Sequence, residues 1–184
     1  GNWPSRSSFF GIVDLAGFPK DVYYMYKSEW TDEPVLHIFP HWNWKEGEPV
    51  DIWAYYNNAD EVELYLNGKS LGVRQKTDST YHVSWRVPFT PGTLRAVSRL
   101  GGKEVLVKEI HTAGEPARLV LTPDRSVIQA DGSDLSFVTV DVCEIDGNRV
   151  PDATPLIRFS VEGPGEIAGT DNGDPNDPNS LRKP

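Results

Sequence analysis

The sequence predicts a mainly β chain of antiparallel sandwiches, led by a single helix. Three observations carry this. From Val35 onward, short segments alternate apolar and polar residues with a period of two, as half-buried strands do. Turn-forming dipeptides, among them Asn67-Gly68, Gly101-Gly102 and Asp146-Gly147, punctuate the series. No helical pattern intervenes between the strands, which points to antiparallel sandwiches. At 184 residues the chain is long enough for one large or two small domains.

Lys20–Trp30 (KDVYYMYKSEW) reads as the helix. Pro19 suits its first position, and Asp21 suits the positive end of the helix dipole. Val22, Tyr23, Tyr24, Met25, Tyr26 and Trp30 wrap most of its circumference. A helix apolar nearly all round is expected inside a larger body. Strands follow at Val35–Phe39, at Val50–Tyr56, and at Glu61–Leu66 with Val62, Leu64 and Leu66 on one face. Asn67-Gly68 turns the chain into Lys69–Arg74. Tyr81–Val87 alternates until Pro88 ends it, and Gly101-Gly102 joins Thr93–Leu100 to Lys103–Ile110. The pattern pauses at Gly114-Glu115-Pro116, where a domain boundary is expected. A second series then runs through Ala117–Thr122, a short piece near Val127–Gln129, Leu135–Cys143 and Leu156–Val161, with a further strand starting at Ile167. Residues 171–184 have loop composition and supply no closing strand.

A net charge of −9, spread along the chain without a basic cluster, argues against nucleic acid or an anionic membrane as partner. No apolar run is long enough to span a bilayer. The single Cys143 excludes an intrachain disulfide and a cysteine-based zinc site, and reads as a small inert hydrophobe closing a strand. Six Trp, seven Tyr and seven Phe suit either aromatic cores or carbohydrate contacts.

Long segments resemble one family. WPSRSSFFGIVDLAGFPKDVYYMYKSEW (Trp3–Trp30) resembles the end of the catalytic (β/α)8 barrel of glycoside hydrolase family 2, in its bacterial β-galactosidase branch. LHIFPHWNW (Leu36–Trp44), NNADEVELYLNGKSLG (Asn57–Gly72) and VPFTPGTLRAV (Val87–Val97) resemble the immunoglobulin-like domain that follows the barrel. ADGSDLSFVTVDV (Ala130–Val142) and VEGPGEIAGTDNGDP (Val161–Pro175) resemble the next sandwich. The resemblance implies two immunoglobulin-like antiparallel β-sandwich domains in tandem, preceded by a loop and one helix left from a (β/α)8 barrel. It implies a barrel remnant over 1–31, a first sandwich over 32–114 and a second over 115–184. The second, at about seventy residues, is expected to be truncated against the ~100 of a full domain. The parent is expected to be a retaining hydrolase of terminal β-galactosides, with β-glucuronidase or β-mannosidase as alternatives.

Retaining hydrolysis needs two carboxyls about 5 Å apart. The resemblance puts that pair upstream of Gly1, so no catalytic residue is expected here and this chain alone is expected to be inactive. Glu46, Glu48, Glu61, Glu63, Asp131 and Asp134 read as solvated charge on turns and strand faces. Residues 1–17 would join the last barrel strand to its helix, at the end where such barrels keep their active sites. Trp3 and Arg6, with Asn2 beside them, are therefore the candidate substrate contacts, an indole to stack on a sugar and a guanidinium to bond its hydroxyls. Anchoring the loop is the competing role.

His41, Trp42 and Trp44 form the candidate sugar platform on the surface, against packing between barrel and sandwich. A carbohydrate-binding module using Trp42, Trp44 or Trp53 is thus a rival reading of the whole chain. A protein-interaction module is another, with an open sheet edge recruiting a second copy. His37 reads as a strand residue, and His82 and His111 lack companions at metal spacing. The loop Asp171-Asn172-Gly173-Asp174 through Asp177 is rich in oxygen, but turn chemistry accounts for it. No cofactor and no metal are expected. The expected partners are the parent's carbohydrate substrate and the catalytic barrel, with the helix aromatics folding back on the first sandwich or on a neighbouring molecule in the barrel's absence. The family's use of glycans implies a periplasmic or extracellular setting.

Overall fold

The computed structural model describes residues 9–177. Among them, one helix, α1 (Asp21–Trp30), precedes nine strands. The first seven are β1 (Leu36–Phe39), β2 (Pro49–Tyr56), β3 (Glu61–Leu66), β4 (Lys69–Arg74), β5 (Val83–Pro88), β6 (Thr93–Leu100) and β7 (Lys103–His111). They form two antiparallel sheets, ordered β1-β2-β5 and β4-β3-β6-β7. The inward positions are those the alternation marks: Ile38, Ile52, Ala54, Val62, Leu64, Leu94 and Ala96 are buried between the sheets. Trp85 of β5 ties one sheet to the other by donating its indole N–H to the Gly72 carbonyl of β4, at 3.0 Å. The β3–β4 hairpin turns through Asn67 and Gly68, both at positive φ (50° and 80°), as its dipeptide requires.

The helix departs from expectation at its start. Lys20 is the N-cap and Asp21 the first helical residue, so Pro19 lies outside the helix. Pro19 instead bridges Val13 across a turn in which Asp14 N–H bonds the Phe18 carbonyl. That bridge holds residue 19 extended, and the helix starts only after it. Neither is the helix enclosed all round. Ser28 is its one buried residue, and Trp30 is 76% exposed. Its anchor is Tyr24, stacked flat on His37 of β1 at 3.9 Å, while Asp21 accepts a hydrogen bond from the same imidazole. The helix thus lies on the outer face of the three-stranded sheet. Along that face the rings continue from His37 to Phe39 and on to Trp53 and Tyr55.

The outer face of the four-stranded sheet carries a polar cluster. The Glu63 carboxylate accepts hydrogen bonds from Ser70, Tyr65 and Arg99, and Arg99 also reaches the Tyr65 hydroxyl. Ser70 and Tyr65, then Arg99, hold the Glu63 carboxyl below the usual carboxylate range. A depressed folded pKa means that this stabilisation is complete above the ordinary carboxylate pKa and is lost as pH falls through the folded value. Glu63→Gln is therefore expected to cost about 1–2 kcal/mol at pH 7. The difference should shrink on going from pH 7 to an acidic pH below the lowered pKa of Glu63, where the wild-type carboxyl is protonated too. Urea unfolding of both proteins at the two pH values checks this, and a pH-independent difference would assign the effect to packing.

Past the Gly114-Glu115-Pro116 pause, β8 (Arg118–Pro123) pairs antiparallel with β9 (Val138–Cys143). The expected strands at 156–161, near 127–129 and at 167 do not form among the described residues. A strand needs a neighbour to take its backbone groups. Residues 154–170 make no backbone–backbone hydrogen bond among the described residues, and Leu156 is 83% exposed. Their alternation marks strand potential that no described ladder takes up. The chain is mainly β with antiparallel sheets throughout, and the described residues of its second unit form one two-stranded sheet, β8-β9.

The two units are stitched together rather than strung on a loose linker. Asn43, in the loop after β1, bonds Ala113 twice: its Nδ2 donates to the carbonyl (2.8 Å) and its Oδ1 accepts from the amide (2.9 Å). Thr112 donates its hydroxyl to the Trp42 carbonyl. One residue further on, the Gly114 amide bonds the Glu144 carboxylate, just past β9, and this bond leads the causes that lower the Glu144 pKa.

Candidate functional site

Trp3 and Arg6, and Asn2 with them, lie outside the described residues. The residues of the His41–Trp44 segment divide sharply. Trp42 points inward with 0% exposure, its ring edge-on to Phe89 at 5.0 Å and its N–H bonded to the Thr90 carbonyl. A ring with no open face cannot stack on a sugar, so Trp42 leaves the candidate platform and becomes a core residue. The burial follows from β5: the chain beyond Pro88 carries Phe89 and Thr90 across the end of the sandwich, and Trp42 fills the space beneath.

His41 and Trp44 remain together at the surface. Their rings stack at 4.8 Å and 8°, and the Trp44 N–H donates to the His41 carbonyl at 2.8 Å. Trp44 is 37% exposed. It stands over a cleft of about 650 Å³ lined also by Lys45, Glu48 and Asp152, with Phe89 and Ala113 at its base. Asp152 comes from the second unit, so the cleft lies at the seam between the two. Sequence reading passed over Lys45 and Asp152: neither has a motif, and the latter is over a hundred residues from Trp44.

Trp53, the other indole proposed as a platform, is half-buried on the outer sheet face, where His82 stacks on it at 4.0 Å and 4°. One face of the ring is thereby covered by the chain itself. The acidic candidates serve structure where the bonds are defined. Asp131 accepts from the Ser133 and Asp134 amides, Asp134 holds the Gln129 amide and Arg125, and Glu63 sits in the cluster described above. In the 171–177 loop, Asp171, Asn172 and Asp174 each accept a backbone amide two residues on, forming successive Asx turns. These side chains shape turns. Cys143 is buried at the end of β9.

Comparison with known proteins locates the chain. Residues 119–184 match the glycoside hydrolase family 2 C-terminal domain 5, and residues 47–106 match a domain of unknown function, DUF4982. The β-galactosidase BoGH2A of Bacteroides ovatus is 62% identical over 173 residues, which are 94% of this chain and 20% of that protein. A putative β-glucuronidase of Formosa agariphila is 35% identical over 189 residues, 100% of this chain and 18% of its own length. The chain therefore spans about a fifth of the length of these relatives. A crystal structure of a β-glycosidase from Bacteroides vulgatus superposes with a TM-score of 0.90 at 36% identity, over 95% of this chain and 23% of that one. These similarities run through the helix, the sandwich and the second unit together, and the chain belongs to glycoside hydrolase family 2, within its C-terminal region.

Proposed function

We propose that this chain is the non-catalytic C-terminal scaffold of a family 2 glycosidase that hydrolyses terminal β-galactosides with retention. The observation that carries the reading is the 62% identity to a β-galactosidase across nearly the whole chain. The relatives at lower identity include β-glucuronidases, which makes β-glucuronide the second substrate class to test. In this reading residues 1–31 belong with the catalytic barrel, 32–114 are the first sandwich and 115–184 the second domain. The seam from Asn43 through Ala113 to Glu144 then holds the second domain at a set angle to the first. The aromatic outer face of the three-stranded sheet, already covered in part by α1, meets the barrel.

The setting we propose is periplasmic or extracellular. No helix among the described residues is long and apolar enough to cross a membrane. The partners are the carbohydrate substrate of the parent and the catalytic barrel. A second copy docks where a sheet edge is open, since β4, β7 and β8 each carry one unpaired side among the described strands. The test is enzymatic. This chain alone, offered p-nitrophenyl β-galactoside and p-nitrophenyl β-glucuronide, should release no nitrophenol above a heat-treated control. A polypeptide that joins it to a preceding family 2 barrel should cleave the galactoside, with the β-anomer as first product by NMR. Turnover by the chain alone, or inversion by the longer protein, would overturn the reading.

A further inference from the structure

The geometry points to the cleft beneath Trp44 as a binding site for an oligosaccharide. The volume, about 650 Å³, falls within the range of small-ligand sites. The indole is held before any ligand arrives: His41 is stacked on it and its N–H is already satisfied by the His41 carbonyl. His41 covers one face of Trp44, as His82 covers one face of Trp53, so the ring offers its remaining apolar surface and no demand for a polar partner, which suits the C–H face of a pyranose.

The surroundings suit the hydroxyls. A sugar hydroxyl both donates and accepts, so a site needs both kinds of group within reach of one ring. Lys45 supplies a donor, and Glu48 and Asp152 supply acceptors on the cleft lining. Among the described residues, the charged groups of Lys45 and Asp152 have no hydrogen-bond or ion-pair partner, whereas most carboxylates discussed above are committed to turns or clusters. Glu48 is held in place through its loop, since its side chain accepts from the Lys45 amide and its carbonyl accepts from the Phe89 amide. The cleft base is rigid because Asn43 clamps Ala113. Preorganisation of this kind reduces the ordering cost of binding. Since Asp152 belongs to the second unit and the others to the first, an occupied cleft would also brace the seam.

The site goes beyond the scaffold reading and needs no catalysis, so its test reads binding only. The 184-residue chain is titrated calorimetrically with lactose and with cellotetraose, and Trp fluorescence is followed in parallel. Saturable millimolar binding of at least one sugar is expected. Trp44→Ala should weaken it at least about 10-fold and remove the fluorescence change, and Asp152→Ala should weaken it several-fold. Trp30→Ala, on exposed α1, should leave it unchanged. If Trp44→Ala fails to fold by circular dichroism, Asp152→Ala and Lys45→Ala at exposed positions decide the matter. No saturable heat with either sugar at about 20 mM, or binding that survives the Trp44 and Asp152 substitutions, overturns the proposal. Tighter binding of choline than of either sugar overturns it as well, because the indole and carboxylates would then serve a cation.

Discussion

Trp42→Ala should destabilise the first sandwich by about 3–5 kcal/mol, the range for truncating a large buried aromatic. The indole is enclosed on every side, packs edge-on against Phe89, and spends its N–H on the Thr90 carbonyl. Alanine would leave a cavity at the end of the core, and the neighbours that line it are strand and loop residues that cannot collapse inward without giving up their own bonds. Trp42→Phe separates the two contributions: it keeps most of the apolar fill and loses the N–H bond, so it should cost clearly less than alanine. Urea unfolding followed by far-UV circular dichroism measures both. A loss below about 1 kcal/mol for the alanine variant would mean that Trp42 is not a core residue in solution.

Asn43→Ala is expected to cost about 2–4 kcal/mol, because it strands two backbone groups at once. Ala113 is 7% exposed, and its amide and carbonyl both depend on the Asn43 side chain. Water has poor access to replace either partner, so the desolvation penalty of each group is felt. Asn43→Asp is the sharper probe, since a carboxylate can accept from the Ala113 amide but cannot donate to its carbonyl. It should retain part of the stability at most. Hydrogen exchange at the Ala113 amide gives the local reading: slow in the wild type, and markedly faster in Asn43→Ala. Unchanged exchange there would show that the seam does not rest on this side chain. Because Asn43 lies between a core residue and a cleft residue, its loss should also loosen the base of the cleft.

The first sandwich was legible in the sequence to within a residue or two at each strand. Glu61–Leu66 alternates throughout, Val50–Ile52 and Thr93–Ala96 begin their strands in the same way, and the dipeptides within the hairpins demand positive φ that few other residues accept. These are local properties, determined by neighbours in the chain and by the pleat of a strand. The Leu156–Val161 segment shows the limit of the same logic. It alternates equally well, yet a strand exists only where another backbone lies beside it, and among the described residues none does. Pro19 fails for a related reason: its suitability for a helix start is local, but the bridge to Val13 holds it extended.

The candidate site was legible only in part. Four adjacent residues, His41, Trp42, Asn43 and Trp44, look alike in sequence as one polar aromatic cluster. The structure sends Trp42 into the core, Asn43 to Ala113 seventy positions away, and His41 with Trp44 to the rim of a cleft. Sequence alone determined that the chain is an antiparallel β protein, where its hairpins turn, and which family its motifs resemble. Tertiary structure alone decided which indole is buried, which is presented, and that Asp152 stands across from it. Alternation and turn chemistry act over a few residues, whereas burial and cleft formation depend on which distant segments arrive at the same place.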